Sequence, residues 1–314
     1  MRRLLDDGYR VKVLVRTPAF AHRLQAKGAV AVMGDLRDVA SLEGAVEDVD
    51  MVVHAAALCS PFGKYRDFYD TNVLGTRHLV NRAVKAGVKR FVHISSPSVV
   101  SRPKDQFDLD EQVPIPKQFV SPYSHTKALA EMELADAHVG AMTTATLRPK
   151  AIYGPGDTSI FPRIAASLLK KRLPRISGTP THTNITHVSD VVEAICLALQ
   201  RGHLDGETFF ITGGEVVDLW EVIDFLADRL SVPRPGRVVT TSKAMAVAGL
   251  LENIWKALNA LGLKGEPPLT RYTAGILAYS QTYNIDSARE KLGFYPRVSW
   301  KEGIESILQE FTNR

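Results

Sequence analysis

The chain of 314 residues has few cysteines, and the two it has, Cys59 and Cys196, lie far apart. Their spacing is typical of neither a metal site nor a redox pair, so we expect free thiols in a reducing compartment, and hence a cytoplasmic protein. The nine histidines include no His-x-x-x-His pair with a carboxylate, which gives metal catalysis no support. The net charge is +5, but the one dense basic run, 170–172, lacks interleaved aromatics. We therefore expect no nucleic-acid partner.

Long apolar runs are also missing. The most apolar stretch, 244–263, is interrupted by Glu252, Asn253, Lys256 and Asn259, which is too many polar positions for a membrane-spanning helix. The stretch predicts an amphipathic helix packed against a substrate pocket, and the alternative is a peripheral membrane contact. With 45% apolar and 23% charged residues, the composition is that of a soluble enzyme with a large core.

Three segments in the first half alternate between strand and helix patterns. Residues 49–57 read as a strand that ends in small residues, 72–86 as a helix closed by Gly87, and 90–96 as a buried strand that ends in hydroxyls. This alternation predicts a doubly wound α/β fold with a parallel sheet, in which the carboxyl ends of the strands face the ligand.

The pair Tyr123 and Lys127 follows Ser96 by 27 residues. On a helix these two positions share a face. A cation near a phenol lowers the phenol pKa, which lets tyrosine exchange a proton with a carbonyl or alcohol oxygen. The alternative interpretation of the pair alone is a plain surface pair, so its context decides.

That context resembles the extended short-chain dehydrogenase/reductase family, from about residue 3 to the C-terminus. The matching motifs, in order, are Ala31-Val-Met-Gly-Asp35-Leu36, His54-Ala-Ala-Ala57, Asn72-Val-Leu-Gly-Thr76, Ser95-Ser96, Tyr123 with Lys127, Leu147-Arg-Pro149, Tyr153-Gly-Pro-Gly156, His187-Val-Ser-Asp190, and Tyr283-Asn-Ile-Asp286 through Lys291-Leu-Gly293 to Trp300 and Gly303. Within the family, Ser95-Ser-Pro-Ser-Val-Val100 and Pro267-Pro-Leu-Thr-Arg271 are most similar to the 3-beta-hydroxysteroid dehydrogenase branch and to bacterial reductases of long-chain beta-keto compounds.

The resemblance implies a Rossmann-like doubly wound sheet over residues 1–153, and a smaller α/β substrate domain over 154–314. Strands around 184–190 and 207–213 are expected to interleave with the first domain. The family begins with a strand and a Gly-x-x-Gly-x-x-Gly turn that receives the cofactor pyrophosphate. This chain opens instead at residues 1–8, which look like the end of the first helix. We expect the recorded start to lie about 20 residues downstream of the true one, and the alternatives are a fragment or a non-catalytic relative.

The resemblance also assigns catalytic roles. Tyr123 would give a proton to the substrate carbonyl or take one from the alcohol, Lys127 would lower the tyrosine pKa and hold the nicotinamide ribose, and Ser96 would hydrogen-bond the same substrate oxygen. Ser98 is the alternative hydroxyl. Asn72 would brace the strand and helix around the site, or alternatively serve as a helix N-cap.

The expected cofactor is NADP or NAD. Arg16 follows the second family strand, where an arginine can pair with the 2'-phosphate, so NADP is slightly favoured. Asp35 would accept a bond from the adenine amine, or alternatively make a turn. The remaining expected cofactor contacts are Leu36, Ala55, Ala56, Ala57, Tyr123, Lys127 and Pro149.

These inferences predict an NAD(P)-dependent oxidoreductase that interconverts a secondary alcohol and a ketone on a small apolar, steroid-like or long-chain substrate. Residues 239–280 are rich in Ala, Leu, Met and Thr, which suits such a ligand. One alternative is an epimerase of nucleotide-linked sugars, with basic residues to grip the diphosphate: Arg163, Arg172, Arg175, Arg237 and Arg271. Another is a non-catalytic regulatory relative. By resemblance we expect a homodimer through the helices that carry Asn72 and Tyr123.

Overall fold

The computed structural model describes residues 1–137, 140, 142–176, 179–263 and 265–312, without the side chains of 309–312. Its helices are α1 (Arg2–Asp6), α2 (Pro18–Gln25), α3 (Glu43–Val46), α4 (Tyr65–Phe68), α5 (Gly75–Lys85), α6 (Pro122–Asp136), α7 (Phe161–Leu169), α8 (Val188–Gln200), α9 (Leu219–Arg229), α10 (Thr241–Ala260), α11 (Arg271–Ala278) and α12 (Trp300–Thr312). Short 3-10 turns span Ala40–Leu42 and Pro97–Val100, and π-helical turns span Tyr69–Leu74 and Ala288–Leu292.

The strands are short. They are β1 (Lys12–Val15), β2 (Val30–Met33), β3 (Met51–His54), β4 (Arg90–Ile94), β5 (Gln106–Leu109), β6 (Thr143–Pro149), β7 (Ile152–Tyr153), β8 (Arg175–Ile176), β9 (His182–Thr183), β10 (Thr186–His187), β11 (Glu207–Ile211), β12 (Val217–Asp218), β13 (Val238–Val239) and β14 (Gln281–Tyr283).

The central sheet has four parallel strands in the order β11-β6-β4-β3. Helices cover both faces of this sheet. Alternate residues of a strand point to opposite faces, so neighbouring residues of β4 pack against different helices. Phe91 belongs to the core cluster that includes Val80 of α5, whereas Val92 belongs to the cluster that includes Ala194 and Ala198 of α8. This arrangement confirms the predicted doubly wound parallel α/β fold.

Strands β1 and β2 form a separate parallel pair, and among the described residues neither is paired with a strand of the central sheet. Helix α1 lies between this pair and the rest of the molecule. Leu5 packs with the small core around Val15, while Leu4 packs against the large core of the central sheet. Arg3 also reaches Glu193 of α8 at 3.1 Å. Packing and an ion pair therefore connect the β1-β2 unit to the central sheet.

A second core lies in the C-terminal half, around the buried side chains of Trp220, Tyr153 and Phe161. Here the order β12-β9-β14-β5 forms a mixed sheet, with β9 and β12 antiparallel. Strand β11 pairs with β6 although it follows residue 154 in the chain. The strand expected around 184–190 is shorter than predicted, because α8 begins at Val188. The domain boundary at residue 153 stays a prediction.

Helix α10 is the predicted amphipathic segment. Ala244, Ala248 and Glu252 are buried along one face, while Val247 and Leu250 are more than half exposed on another. Across the part of the chain that the structure describes, every helix is too short or too polar to span a bilayer. The peripheral membrane contact stays a prediction.

Candidate active site

The site forms where β4 ends. Ser95 N donates to Leu147 O at 2.7 Å, which continues the pairing of β4 with β6 by one residue. Ser96 then caps the 3-10 turn Pro97–Val100. Its Oγ accepts from Ser98 N at 3.2 Å and donates to Ser98 Oγ at 2.9 Å. Both serine hydroxyls are thus held at the carboxyl edge of the sheet.

Helix α6 supplies the other two predicted catalytic residues. Ser121 caps its N-terminus by accepting from Ser124 N, and Pro122 occupies the first turn, where a missing N–H costs nothing. Tyr123 is half-buried, and Lys127, one turn later, is 2% exposed. The Ser96 hydroxyl and the Tyr123 phenol lie close enough to interact. The fold therefore brings Ser96 and Tyr123 together, while their catalytic roles stay a prediction.

Lys127 has partners of its own. Its Nζ donates to Ile94 O at 2.7 Å and to His93 Nε2 at 3.2 Å. Since the ammonium can only donate, the His93 proton sits on Nδ1. Burial lowers the Lys127 pKa to about 8, while the charge of Glu131 opposes that shift.

The prediction that Lys127 lowers the pKa of Tyr123 is wrong. Burial raises the Tyr123 pKa well above its usual value, and the charges of Cys59 and Tyr272 add to that rise. The nearby Ser96 hydroxyl acts in the opposite direction but is outweighed. Tyr123 is consequently a neutral phenol at physiological pH.

Asn72 is 1% exposed and joins two parts of the site. Its Oδ1 accepts from Leu58 N at 2.7 Å, and its Nδ2 donates to Leu58 O at 3.1 Å and to Thr126 Oγ1 at 3.0 Å. It lies inside the π-helical turn Tyr69–Leu74. The bracing role implied by the resemblance is observed, and the alternative of a helix N-cap is wrong.

Two neighbours of Tyr123 were missed in the sequence. Cys59 is exposed in the segment after β3. Tyr272 lies in the first turn of α11, close to Ser98. The sequence could have indicated that Cys59 lies near the site, because it closely follows the small residues at the end of β3. No such signal existed for Tyr272, because only the tertiary fold brings α11 to α6.

The predicted cofactor contacts fall into two groups. At the end of β3, Ala55 and Ala56 are exposed and Ala57 is partly exposed, so their small side chains leave the backbone open to a flat ligand. Pro149 ends β6 beside Ser96 and is buried. These residues fit a nicotinamide dinucleotide lying across the carboxyl edge of the sheet.

The second group lies at the ends of β1 and β2. Arg16 is exposed, and Asp35 is held by Arg37, whose Nη2 donates to Asp35 Oδ2 at 2.8 Å. Arg37 N also donates to Asp35 Oδ1 at 2.9 Å, so Asp35 makes the alternative turn contact. The hydrogen bond with Arg37 lowers the Asp35 pKa to about 2.

The side chain of Leu36 belongs to the core and not to a ligand surface. It is buried and packs so closely on Gly75 that a Cβ added there would lie 2.8 Å from Leu36 Cβ. Only the Leu36 backbone remains for a cofactor. The same contact explains why a glycine follows Asn72 by three residues.

Arg148 holds α6 in place. It is bonded through two nitrogens to Glu131, at 3.0 and 2.7 Å, and the two side chains are only 7% and 10% exposed. A bidentate pair of this kind has a strongly preferred geometry. Arg148 therefore ties the end of β6 to the helix that carries Tyr123 and Lys127.

Comparison with known proteins identifies the family of the chain. Residues 6–240 match the model of the 3-beta hydroxysteroid dehydrogenase/isomerase family. The chain is 31% identical to a 2-alkyl-3-oxoalkanoate reductase of Stenotrophomonas maltophilia, over 98% of this chain and 93% of the relative. It is 32% identical to a 4-hydroxy-2-methyl-3-oxo-4-farnesyl-3,4-dihydroquinoline-1-oxide ketoreductase of Stigmatella aurantiaca, over 98% and 90% of the two chains.

Solved structures agree in fold. The crystal structure of gox2253 superposes with a TM-score of 0.78 at 25% identity, over 98% of this chain and 94% of that one. A dTDP-glucose 4,6-dehydratase from Streptomyces venezuelae, solved with NAD, superposes with a TM-score of 0.76 at 24% identity, over 100% and 92%.

The fold and these relatives define an oxidoreductase of the extended short-chain dehydrogenase/reductase class that depends on NAD(P). Within that class, the chain belongs to the 3-beta hydroxysteroid dehydrogenase/isomerase family.

Proposed function

We propose that the protein reduces a ketone on a long-chain or steroid-like apolar substrate, with NADP as the preferred cofactor. The observation that carries the proposal is the convergence of Ser96, Tyr123 and the buried Lys127 at the carboxyl edge of the sheet, where Lys127 Nζ donates to Ile94 O at the end of β4. The names of two relatives, a 3-oxoalkanoate reductase and a farnesyl-quinoline ketoreductase, support a ketone on an apolar skeleton.

The protonation state of Tyr123 favours the direction of reduction. A neutral phenol can donate its proton to the ketone oxygen, while the Ser96 hydroxyl donates a hydrogen bond to that same oxygen as negative charge develops. A nicotinamide cofactor, when bound, supplies the hydride. Oxidation of the alcohol needs the tyrosinate as base, so we expect the oxidation rate to rise with pH beyond the ordinary tyrosine pKa of about 10.

The preference for NADP rests on two exposed cations. One of them, Arg16, follows β1. The other, Arg37, follows β2 and would have to give up its ion pair with Asp35 to bind the phosphate, so Arg16 carries the preference. Guanidinium groups suit a terminal phosphate. We expect Arg16→Ala to raise the KM for NADP about tenfold or more and to leave the KM for NAD unchanged. Arg23→Ala, an exposed arginine on α2, is the matched control, and a loss that is equal for both cofactors would contradict the proposal.

The epimerase alternative needs arginines that are free to bind a diphosphate, and most of the expected ones are not free. Three of the five arginines that it needs are already paired with carboxylates at 2.9 Å or less: Arg163 with Glu266, Arg175 with Asp224, and Arg271 with Glu252. Each would have to give up an ion pair to bind a nucleotide diphosphate. This observation favours the reductase.

Tyr123→Phe tests the proposal directly, because it removes the proton donor and keeps the ring. We expect the reduction rate for a 3-oxo fatty acid or a 3-oxosteroid to fall about 100- to 10,000-fold, with the Kd for NADPH unchanged. Tyr295→Phe, at a tyrosine that is 62% exposed, is the matched control. Turnover by Tyr123→Phe at the wild-type rate would refute the catalytic role. Interconversion of a UDP-sugar without net change in nicotinamide absorbance would establish the epimerase.

A further inference from the structure

Lys150 is a charged residue beside the catalytic site to which the mechanism above assigns no task. It directly follows β6 and is half-buried. Its Nζ donates to Gln281 Oε1 at 3.4 Å and lies 5.2 Å from the centre of the Tyr283 ring. Within the described ranges it forms no ion pair. One long bond to an amide and one aromatic ring are weak compensation for an ammonium group removed from water.

The strand register places Lys150 next to Ser96. Ile94 of β4 is level with Leu147 of β6, and Ser95 N donates to Leu147 O, so Ser96 stands opposite Pro149 on the neighbouring strand. Neighbouring strands are about 4.8 Å apart, and the carboxyl ends of parallel strands line the ligand crevice. Lys150, one residue beyond Pro149, is therefore within side-chain reach of a substrate held by Ser96.

Hydroxyl contacts connect the two places. Ser98, bonded to Ser96, lies close to the Tyr272 hydroxyl. Ser101, at the end of the same turn, donates to Gln281 Oε1 at 3.2 Å. Gln281 Oε1 is the atom that accepts from Lys150. We call this series of polar groups, from Ser96 through Ser98, Ser101 and Gln281 to Lys150, the polar wall. The Lys150 ammonium group lies at one end of it and the Ser96 hydroxyl at the other.

The other buried cations of this region are compensated. Arg148 is paired with the Glu131 carboxylate through two bonds. Lys127 has a carbonyl and an imidazole, and the charge of Glu131 favours its protonation. For Lys150 burial lowers the pKa to about 8 with no carboxylate opposing the shift. A half-buried charge without a counter-charge is less stable than a paired one, and an anionic ligand would offset that loss.

We propose that Lys150 binds a carboxylate of the substrate, so that the protein acts on 3-oxo or 3-hydroxy acids rather than on neutral ketones. The carboxylate pairs with Lys150 Nζ at one end of the polar wall, while Ser96 and Tyr123 hold the ketone or alcohol oxygen at the other. This inference rests on the proposed function for the contact of Ser96 and Tyr123 with the ketone or alcohol oxygen. The carboxylate contact itself does not need turnover, and so it can be tested by binding alone.

The test compares 3-hydroxydecanoate with its methyl ester, which has the same chain and no charge. Binding of each is measured by titration calorimetry at neutral pH, with the purified protein alone and with saturating NADP. For Lys150→Met, which keeps the length of the side chain and removes its charge, we expect acid binding to weaken about 10- to 100-fold and ester binding to stay unchanged. Lys150→Arg should retain most of the acid binding, and Lys104→Met, at an exposed lysine, should match the wild type.

Three results would overturn the inference: wild-type binding of the ester as tight as that of the acid, an equal loss of acid and ester in Lys150→Met, or a weakened Kd for NADP in that variant. Should Lys150→Met not fold, as judged by circular dichroism, Lys150→Gln takes its place in the same comparison. Failure of the proposed function would look different. Acid binding would then still depend on Lys150, but no nicotinamide-linked turnover of the acid would occur and Tyr123→Phe would change nothing.

Discussion

Replacement of Asn72 by alanine should separate the two elements that frame the catalytic tyrosine. The substitution removes three hydrogen bonds, with lengths of 2.7, 3.1 and 3.0 Å, between a side chain that is 1% exposed and Leu58 and Thr126. At about 1 kcal/mol for each bond, we expect the free energy of unfolding to fall by about 3 kcal/mol. We also expect kcat/KM to fall, because the segment that follows β3 and the start of α6 lose their connection.

Urea denaturation followed by circular dichroism measures this loss. Thr126→Val removes one of the three bonds and also the bond from Thr126 Oγ1 to Pro122 O at 2.9 Å, so it should cost about 2 kcal/mol. Asn81→Ala, an exposed asparagine on α5, should change stability by less than about 0.5 kcal/mol. A cost below about 1 kcal/mol for Asn72→Ala would refute the reasoning, because it would mean that the three bonds do not hold these elements together.

Two further predictions concern buried charge. Glu131→Ala leaves the Arg148 guanidinium buried without its carboxylate, so we expect a loss of about 3 to 5 kcal/mol in urea titrations. Asp50→Ala, in an exposed ion pair, is the control and should not move the midpoint; equal effects of the two would contradict the burial argument. Burial lowers the folded-state pKa of His54 to about 3 and places that of His93 well below 6.5. The unfolded chain binds these protons first, so stability should be lost as pH falls below about 6.5, by on the order of 1.4 kcal/mol per pH unit for each histidine. Urea midpoints between about pH 7 and about pH 4.5 check this, and a His93→Gln variant with the wild-type slope would show that His93 does not contribute.

Much of the site could be predicted because its signals are local. A helix places Tyr123 and Lys127 on one face whatever surrounds it, and the apolar run before Ser96 marks a strand whose hydroxyl end must lie at the edge of the sheet. The bracing contacts of Asn72 were implied by the family motif, but its π-helical turn was not, since the composition of 69–74 differs little from that of an ordinary helix.

Other features have no local signal. The partners of Lys127, the pairing of Glu131 with Arg148, and the approach of Tyr272 to Ser98 each join segments that are distant in the chain or on different elements. The direction of the Tyr123 pKa shift was mispredicted for the same reason. Spacing shows that a cation is near, but only burial determines how much the ionised phenol is penalised.

The amino-acid sequence by itself determined the fold class and the family, and it supplied the candidate catalytic side chains, because periodicity and motif spacing are properties of short segments. The tertiary structure alone decided which charges are compensated. Arg148 and Lys150 stand two residues apart on the same strand end, and only packing gives one of them a carboxylate and leaves the other with an amide and an aromatic ring. The electrostatic energy of a charge depends on what surrounds it in space, and that is set by contacts between segments far apart in the chain.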